Sequence, residues 1–185
     1  AGNRSQTNAY LNTFIGKSAG RAITTGNTNT IIGNAAGTQL TTGNNNIFVG
    51  GFAGASNTTG SENIILGTVS CTNCEKNIFI GWGGTSLLPL GRNVLIGSGS
   101  FRDKKVGYMS NTFIGNEAGG NADSVSSGTF IGISAGQNAR ASGIMIGNMA
   151  GQGNIVACHC RVSRPLCVVF IRAGIAFFTI LCFGL

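Results

Sequence analysis

The groups in this 185-residue chain best suited to redox or metal chemistry are six cysteines and a single histidine. Cys71-x-x-Cys74 has the spacing of a dithiol pair or of half a zinc site, and Cys158-His159-Cys160 supplies three more soft ligands. Joining the two groups around one ion would require the tail to fold back. They lie about five repeat units apart, and stacked strands are separated by roughly 4.8 Å. The expectation is therefore a local disulfide, or two free thiols, at Cys71 and Cys74, with no metal site and no cofactor. His159 is the only candidate base of its type, and no Ser-His-Asp set, carboxylate pair or phosphate loop stands out. The sequence offers no catalytic constellation, and a non-enzymatic protein is expected.

Charge narrows the partners. Twelve Lys/Arg against five Asp/Glu give a formal charge of +7. The basic residues are scattered, and the only cluster is Arg102, Lys104 and Lys105, broken by Asp103. Nucleic-acid binders gather such residues on one face among stacking aromatics, so no nucleic-acid partner is expected. Acidic glycans or an anionic surface suit a diffuse positive field better. Glycine takes 31 positions and proline two, which excludes collagen, and the supply of Ile, Phe and Val with few charges argues against disorder.

What must position any site is a repeat. Asn12-Thr13-Phe14-Ile15-Gly16 recurs as Asn29-Thr30-Ile31-Ile32-Gly33, Asn46-Ile47-Phe48-Val49-Gly50 and Asn63-Ile64-Ile65-Leu66-Gly67. Further copies are Asn77-Ile78-Phe79-Ile80-Gly81, Asn93-Val94-Leu95-Ile96-Gly97 and Asn111-Thr112-Phe113-Ile114-Gly115. The last two, Thr129-Phe130-Ile131-Gly132 and Ile144-Met145-Ile146-Gly147, lack the asparagine. The closing glycines are 17, 17, 17, 14, 16, 18, 17 and 15 residues apart. Ala-Gly follows most copies (Ala19-Gly20, Ala36-Gly37, Ala53-Gly54, Ala118-Gly119, Ala135-Gly136, Ala150-Gly151), and Thr-Thr-Gly closes the first three (24–26, 41–43, 58–60). Each unit reads as a short apolar strand, a glycine turn, a second short polar strand and another glycine turn. Glycine suits corners that need positive φ; asparagine tolerates left-handed backbone or stacks in ladders. Apolar runs this short, interrupted by glycine, exclude a helix.

These units predict an all-β protein: a parallel β-roll of about nine coils of 14–18 residues, a β-solenoid, since no coil buries its apolar side alone. Numbering the asparagine as position one, position four is aliphatic in every copy and is assigned to the coil interior. Position three (Phe14, Ile31, Phe48, Ile65, Phe79, Leu95, Phe113, Phe130, Met145) is equally apolar and must then face outward. A strand apolar on both faces is covered on both, so this outward ladder is expected to be the interface of a homotrimer. A flattened coil with both faces internal is the alternative.

The combination Asn-Thr-Phe-Ile-Gly-x-x-Ala-Gly with Thr-Thr-Gly resembles the head repeats of trimeric autotransporter adhesins and the repeat arrays of bacterial and phage tail-fibre-like proteins. The resemblance spans residues 12 to 154. It implies a left-handed, trimeric β-roll at a cell or virion surface, extracellular, with a host matrix protein, glycan or cell surface as partner. The family's stalk and β-barrel anchor are not seen, nor is a tail-fibre chaperone domain. The motif Ile15-Gly16-Lys17-Ser18-Ala19 is also similar to the hexapeptide of left-handed β-helix acyltransferases. Only one hexapeptide per coil fits, however, and His159 lies outside the array. A monomeric ice- or surface-binding solenoid is the third reading, through the Thr-Thr-Gly columns, which only three coils carry.

Domain limits follow: a lead-in over 1–11, the repeat array over 12–156 and an apolar segment over 157–185. Ala1 opens the chain with neither Met nor a signal-type apolar run, as in a mature form or a fragment. Residues 68–76, 82–92 and 98–110 break the pattern, and insertions in solenoids often form contact surfaces. Trp82, Phe101, Arg102, Lys104, Lys105 and Tyr108 are therefore the candidate ligand-contact residues. A tenth copy begins at Asn154-Ile155-Val156 and stops. Residues 166–185 are apolar apart from Arg172 and long enough to touch or span a membrane. A membrane anchor, an apolar cap and the product of a shifted reading frame are the competing readings of this tail.

Overall fold

The computed structural model describes residues 8–83, 85–86, 91–99, 110–122, 125–139, 143–152 and 168–169. Every repeat copy forms a strand where the sequence predicts one. In chain order the strands are β1 (Thr13–Ile15), β2 (Thr30–Ile32), β3 (Ile47–Val49), β4 (Ile64–Gly67), β5 (Ser70–Cys71), β6 (Ile78–Gly81), β7 (Thr85–Ser86), β8 (Val94–Ile96), β9 (Thr112–Ile114), β10 (Thr129–Ile131), β11 (Ile144–Ile146) and β12 (Val168–Val169). Ten of them make one parallel sheet in the order β1-β2-β3-β4-β6-β8-β9-β10-β11-β12, and β5 pairs with β7 in a separate two-stranded sheet. Register is kept position for position: Phe14 opposite Ile31, Ile31 opposite Phe48, and Phe113 opposite Phe130. The chain is a β-solenoid, and no helix occurs among the described residues.

The repeated asparagine fixes that register. Each donates twice to the side-chain oxygen of the asparagine one coil earlier, from its backbone N–H and from its Nδ2. Asn29 reaches Asn12 Oδ1 at 2.9 and 3.0 Å, Asn46 reaches Asn29 at 3.0 and 3.0 Å, and Asn63 reaches Asn46 at 3.1 and 2.9 Å. Asn77, Asn93 and Asn111 continue the column, which ends where the Gly128 N–H donates to Asn111 Oδ1 at 2.7 Å. The other Nδ2 hydrogen closes the coil on itself, as in Asn29 to the Gly43 carbonyl at 2.9 Å and Asn46 to the Gly60 carbonyl at 3.0 Å. Asn29, Asn46, Asn63, Asn77, Asn93 and Asn111 are at most 1% exposed. Buried amides are tolerated because these bonds replace the water they lose.

The left-handed backbone falls one residue earlier than the sequence reading places it. Leu11, Thr28, Asn45, Glu62, Lys76, Arg92, Ser110 and Ser127, each just before the ladder position, have φ between 56° and 61°. The strand-closing glycines do take positive φ, 137° at Gly33, and a Cβ there would also overlap the Gly50 carbonyl of the next coil. The regular coils contain no second polar strand. Ser18, Ala35, Phe52, Glu117, Ser134 and Met149 take φ of 52–61° and turn the chain instead. Among the described residues only β5 and β7 realise that expectation, where the repeat is irregular.

Two stability changes are expected from the corner chemistry. Asn46→Ala strips the acceptor of both Asn63 donors and a donor from Gly60, and should lower the unfolding free energy by about 3 kcal/mol or more. Thr28→Asn places a residue that tolerates left-handed backbone at φ 58°, and should raise it by about 0.5–1 kcal/mol. Chemical denaturation of the purified chain measures both.

Candidate interaction surfaces

Strand alternation holds, but the two faces are exchanged relative to the expectation. Position three lies inside the coil: Ile31, Phe48, Ile65, Phe113 and Phe130 are fully buried, and Phe79, Leu95 and Met145 nearly so. Phe14, in the first described coil, is partly buried against the same core. The Phe113 and Phe130 rings stack with centroids 4.9 Å apart and planes inclined by 6°. Ile31, Phe48, Ile65, Phe79, Leu95, Phe113, Phe130 and Met145 are enclosed by their own coils, and Phe14 packs inward on the same core, so the assignment of this ladder to an intermolecular interface is corrected. The reason is the asparagine. Its amide is bonded within the coil, and side chains two apart on a strand share a face, so position three must follow position one inward.

The Ala-Gly element belongs to the same core. Ala19, Ala36, Ala53, Ala118 and Ala135 are fully buried, and a Cβ on Gly54 would strike the Phe48 ring. The ring fills the space that the glycine leaves. Burying one phenylalanine in this way contributes about 2–3 kcal/mol.

Positions two and four therefore form the outer face of the ten-stranded sheet. Ile15, Ile47, Leu66, Ile78, Ile80, Ile96, Ile144 and Ile146 are between 36% and 59% exposed. Ile32, Ile64, Val49, Val94, Ile114 and Ile131 are half-buried between their neighbours in the same two columns. Thr13, Thr30, Thr112 and Thr129 take position two toward the two ends of the array, which leaves its middle wholly aliphatic. The sequence carried the signal for this face: an asparagine kept at position one in seven copies marks the inward parity.

Of the candidate ligand-contact residues, Trp82 is described and stands 72% exposed in the turn after β6. Its backbone is held, with the Gly99 N–H donating to the Trp82 carbonyl at 3.0 Å and the Gly83 N–H to Thr68 Oγ1 at 3.4 Å. The same turn position in other coils carries Lys17, Asn34, Gly51, Thr68, Ser98, Asn116, Ile133 and Asn148. That column is polar or small except at Trp82 and Ile133, so the indole is an individual feature and not part of the repeated apolar face. Phe101, Arg102, Lys104, Lys105 and Tyr108 lie outside the described residues. So do Cys158, His159 and Cys160.

Cys71 and Cys74 form a disulfide, with Cα atoms 5.9 Å apart, and both are fully buried. Among the described residues no group of three or more His, Cys, Asp or Glu is placed to hold a metal ion. Lys17 of the acyltransferase-like hexapeptide is exposed on a turn. The Thr-Thr-Gly columns are partly consumed internally: Thr24 and Thr41 hydroxyls donate to the carbonyls of Thr41 and Thr58, and the Thr58 hydroxyl meets Asn73 Oδ1. One exposed ion pair, Lys76 Nζ to Glu62 Oε1 at 3.8 Å, adds little at such accessibility. Among the described residues no helix is long and apolar enough to cross a membrane. The proposed membrane segment, 166–185, lies outside them except for Val168–Val169, which pairs with Ile144 and Met145.

Comparison with known proteins finds no matching family model, no matching curated protein and no matching solved structure. Function has to be read from this chain's own surface.

The exchanged faces are open to a direct test by truncation. Phe113→Ala should cost about 3–5 kcal/mol of unfolding free energy, and Ile146→Ala about 1 kcal/mol or less. Equal losses at the two sites, read by urea denaturation in dilute solution, would contradict the assignment.

Proposed function

We propose that this chain is a non-enzymatic display or adhesion module, a segment of a surface fibre in which copies of the β-roll pack through the outer face of the ten-stranded sheet. The observation that carries this reading is the pair of aliphatic columns at positions two and four. All-parallel sheets are ordinarily covered on both faces, and here the coil covers only one. Nine stacked strands make a ladder about 40 Å long at the usual strand spacing. Two columns over that length offer on the order of 1,000 Å², about what one partner contributes to a stable interface. A soluble monomer seldom leaves so much contiguous apolar surface bare.

Three copies about a common axis are favoured, with the outer sheets meeting at the centre and the turns pointing away. This arrangement agrees with the resemblance to trimeric adhesin heads and tail-fibre repeats, with positions two and four now supplying the contact. The β-roll is then left-handed, and the fibre is cell-surface, extracellular or carried on a virion. The turn column bearing Trp82 lies beside the sheet and is available to a host glycan or matrix protein. An exposed indole offers a large, rigid apolar contact with a polar N–H at its edge. Among the described residues no cluster of side chains supports the acyltransferase reading, and the short threonine columns give little support to ice binding.

Light scattering on the full chain should return the mass of three copies. Ile80→Lys combined with Ile96→Lys, which brings repeated like charges to the axis, should return single chains with the β circular dichroism kept. A single-chain mass for the unsubstituted protein at tens of micromolar would overturn the packing. Trp82→Ala should weaken binding to an immobilised glycan or matrix target at least tenfold without changing the mass.

A further inference from the structure

The coil between Asn63 and Asn77 is the shortest in the array, 14 residues from ladder position to ladder position against 17 between Asn29 and Asn46. In the preceding coils the inward amide is closed by a glycine carbonyl: Gly26 for Asn12, Gly43 for Asn29 and Gly60 for Asn46. The shortened coil has no such glycine. The Cys74 carbonyl takes its place, accepting from Asn63 Nδ2 at 2.6 Å and from Asn57 Nδ2 at 3.5 Å. The neighbouring Asn73 side-chain oxygen accepts from the Thr59 N–H at 3.3 Å and from the Thr58 hydroxyl. Just before them, the Ser70 hydroxyl accepts from the Ser56 N–H at 2.8 Å. Donors from two successive coils therefore converge on the tetrapeptide Cys71-Thr72-Asn73-Cys74, and the Cys71–Cys74 disulfide closes that tetrapeptide into a ring.

We propose that this disulfide is a redox-sensitive staple in the middle of the array. With the bond closed, the Cys74 carbonyl is held where the asparagine ladder needs an acceptor, and stacking passes unbroken through the short coil. Reduction by a dithiol breaks the S–S bond. Two electrons and two protons pass to Cys71 and Cys74 as thiols, and the reductant leaves as its own disulfide. The freed Cys74 then loses the restraint that aims its carbonyl, and the bonds from Asn57 and Asn63 weaken together. Each coil is supported only by its neighbours, so a defect here lowers the protection of the coils on both sides and not of the ends. Both cysteines are fully buried, so reductant gains access only when the coil opens. The staple therefore persists under oxidising conditions and yields slowly under reducing ones. The proposal stands apart from the oligomeric reading.

Backbone hydrogen exchange of the full chain, oxidised and then treated with a trialkylphosphine, tests it. The Asn63 and Asn77 N–H groups should exchange at least tenfold faster after reduction, while those of Asn29 and Asn111 change less than twofold. Cys71→Ser with Cys74→Ser should reproduce the reduced pattern and make the chain insensitive to reductant. Uniform change across the four amides, no change, or the same response to reductant in the serine variant would each overturn the proposal. If the serine variant does not fold, reduction of the folded wild-type chain decides alone.

Discussion

The buried asparagine column is the constraint on which the remaining geometry depends. A side chain that would ordinarily face water is brought inside, and each new coil satisfies it by donating twice to one oxygen of the coil before. The arrangement tolerates no slip. A shift of one residue would turn the amide to the other face of the strand and bury an aliphatic side chain where the donors and acceptors meet. In the seven copies that carry it, register, parity and coil closure thus follow from one repeated residue, and the last two copies stack in the same register on that template. Uneven lengths between asparagines, 14, 16, 17 and 18 residues, are absorbed elsewhere in the coil.

Parity set this way divides the remaining apolar residues. Position three, with the alanine of Ala-Gly and with Ile23, Leu40 or Val125 in particular coils, fills an interior only one side chain deep. Positions two and four are left on the outer sheet. The same choice that builds a core for a thin coil creates a flat aliphatic face that the coil cannot cover. That uncovered face is the physical basis for the proposal that the chain is a fibre component.

Fold class was legible from the residues alone, because nine copies at a near-constant period leave few alternatives to stacked coils. Strand positions were legible for the same reason. The orientation of the strand was not. Phe14 and Ile15 are both large and apolar, and alternation fixes only that they point apart. The deciding residue, Asn12 and its equivalents, reads in one copy as a turn former; its burial makes sense only once neighbouring coils supply the partners. The supposed second strand failed because Ser18, Ala35 and Phe52 adopt left-handed backbone, a conformation their types do not advertise. Trp82 opens a stretch that departs from the repeat in sequence, yet it occupies the turn position after the strand-closing glycine that every coil shares. Its isolation within a polar column became visible only when the coils were aligned in space. The pairing of Cys71 with Cys74 was one of two readings that spacing allowed, and its link to the ladder through the Cys74 carbonyl has no signature in sequence.

Side-chain amide hydrogen exchange, followed by NMR on the intact chain, tests the ladder most directly. The Nδ2 protons of Asn29, Asn46 and Asn111 are expected to exchange orders of magnitude more slowly than that of exposed Asn138, on the timescale of coil unfolding. Exchange of those three at the rate of Asn138 would mean that the amides face water, and the inward parity of Phe48 and Phe113 and the outer aliphatic face would fall with them.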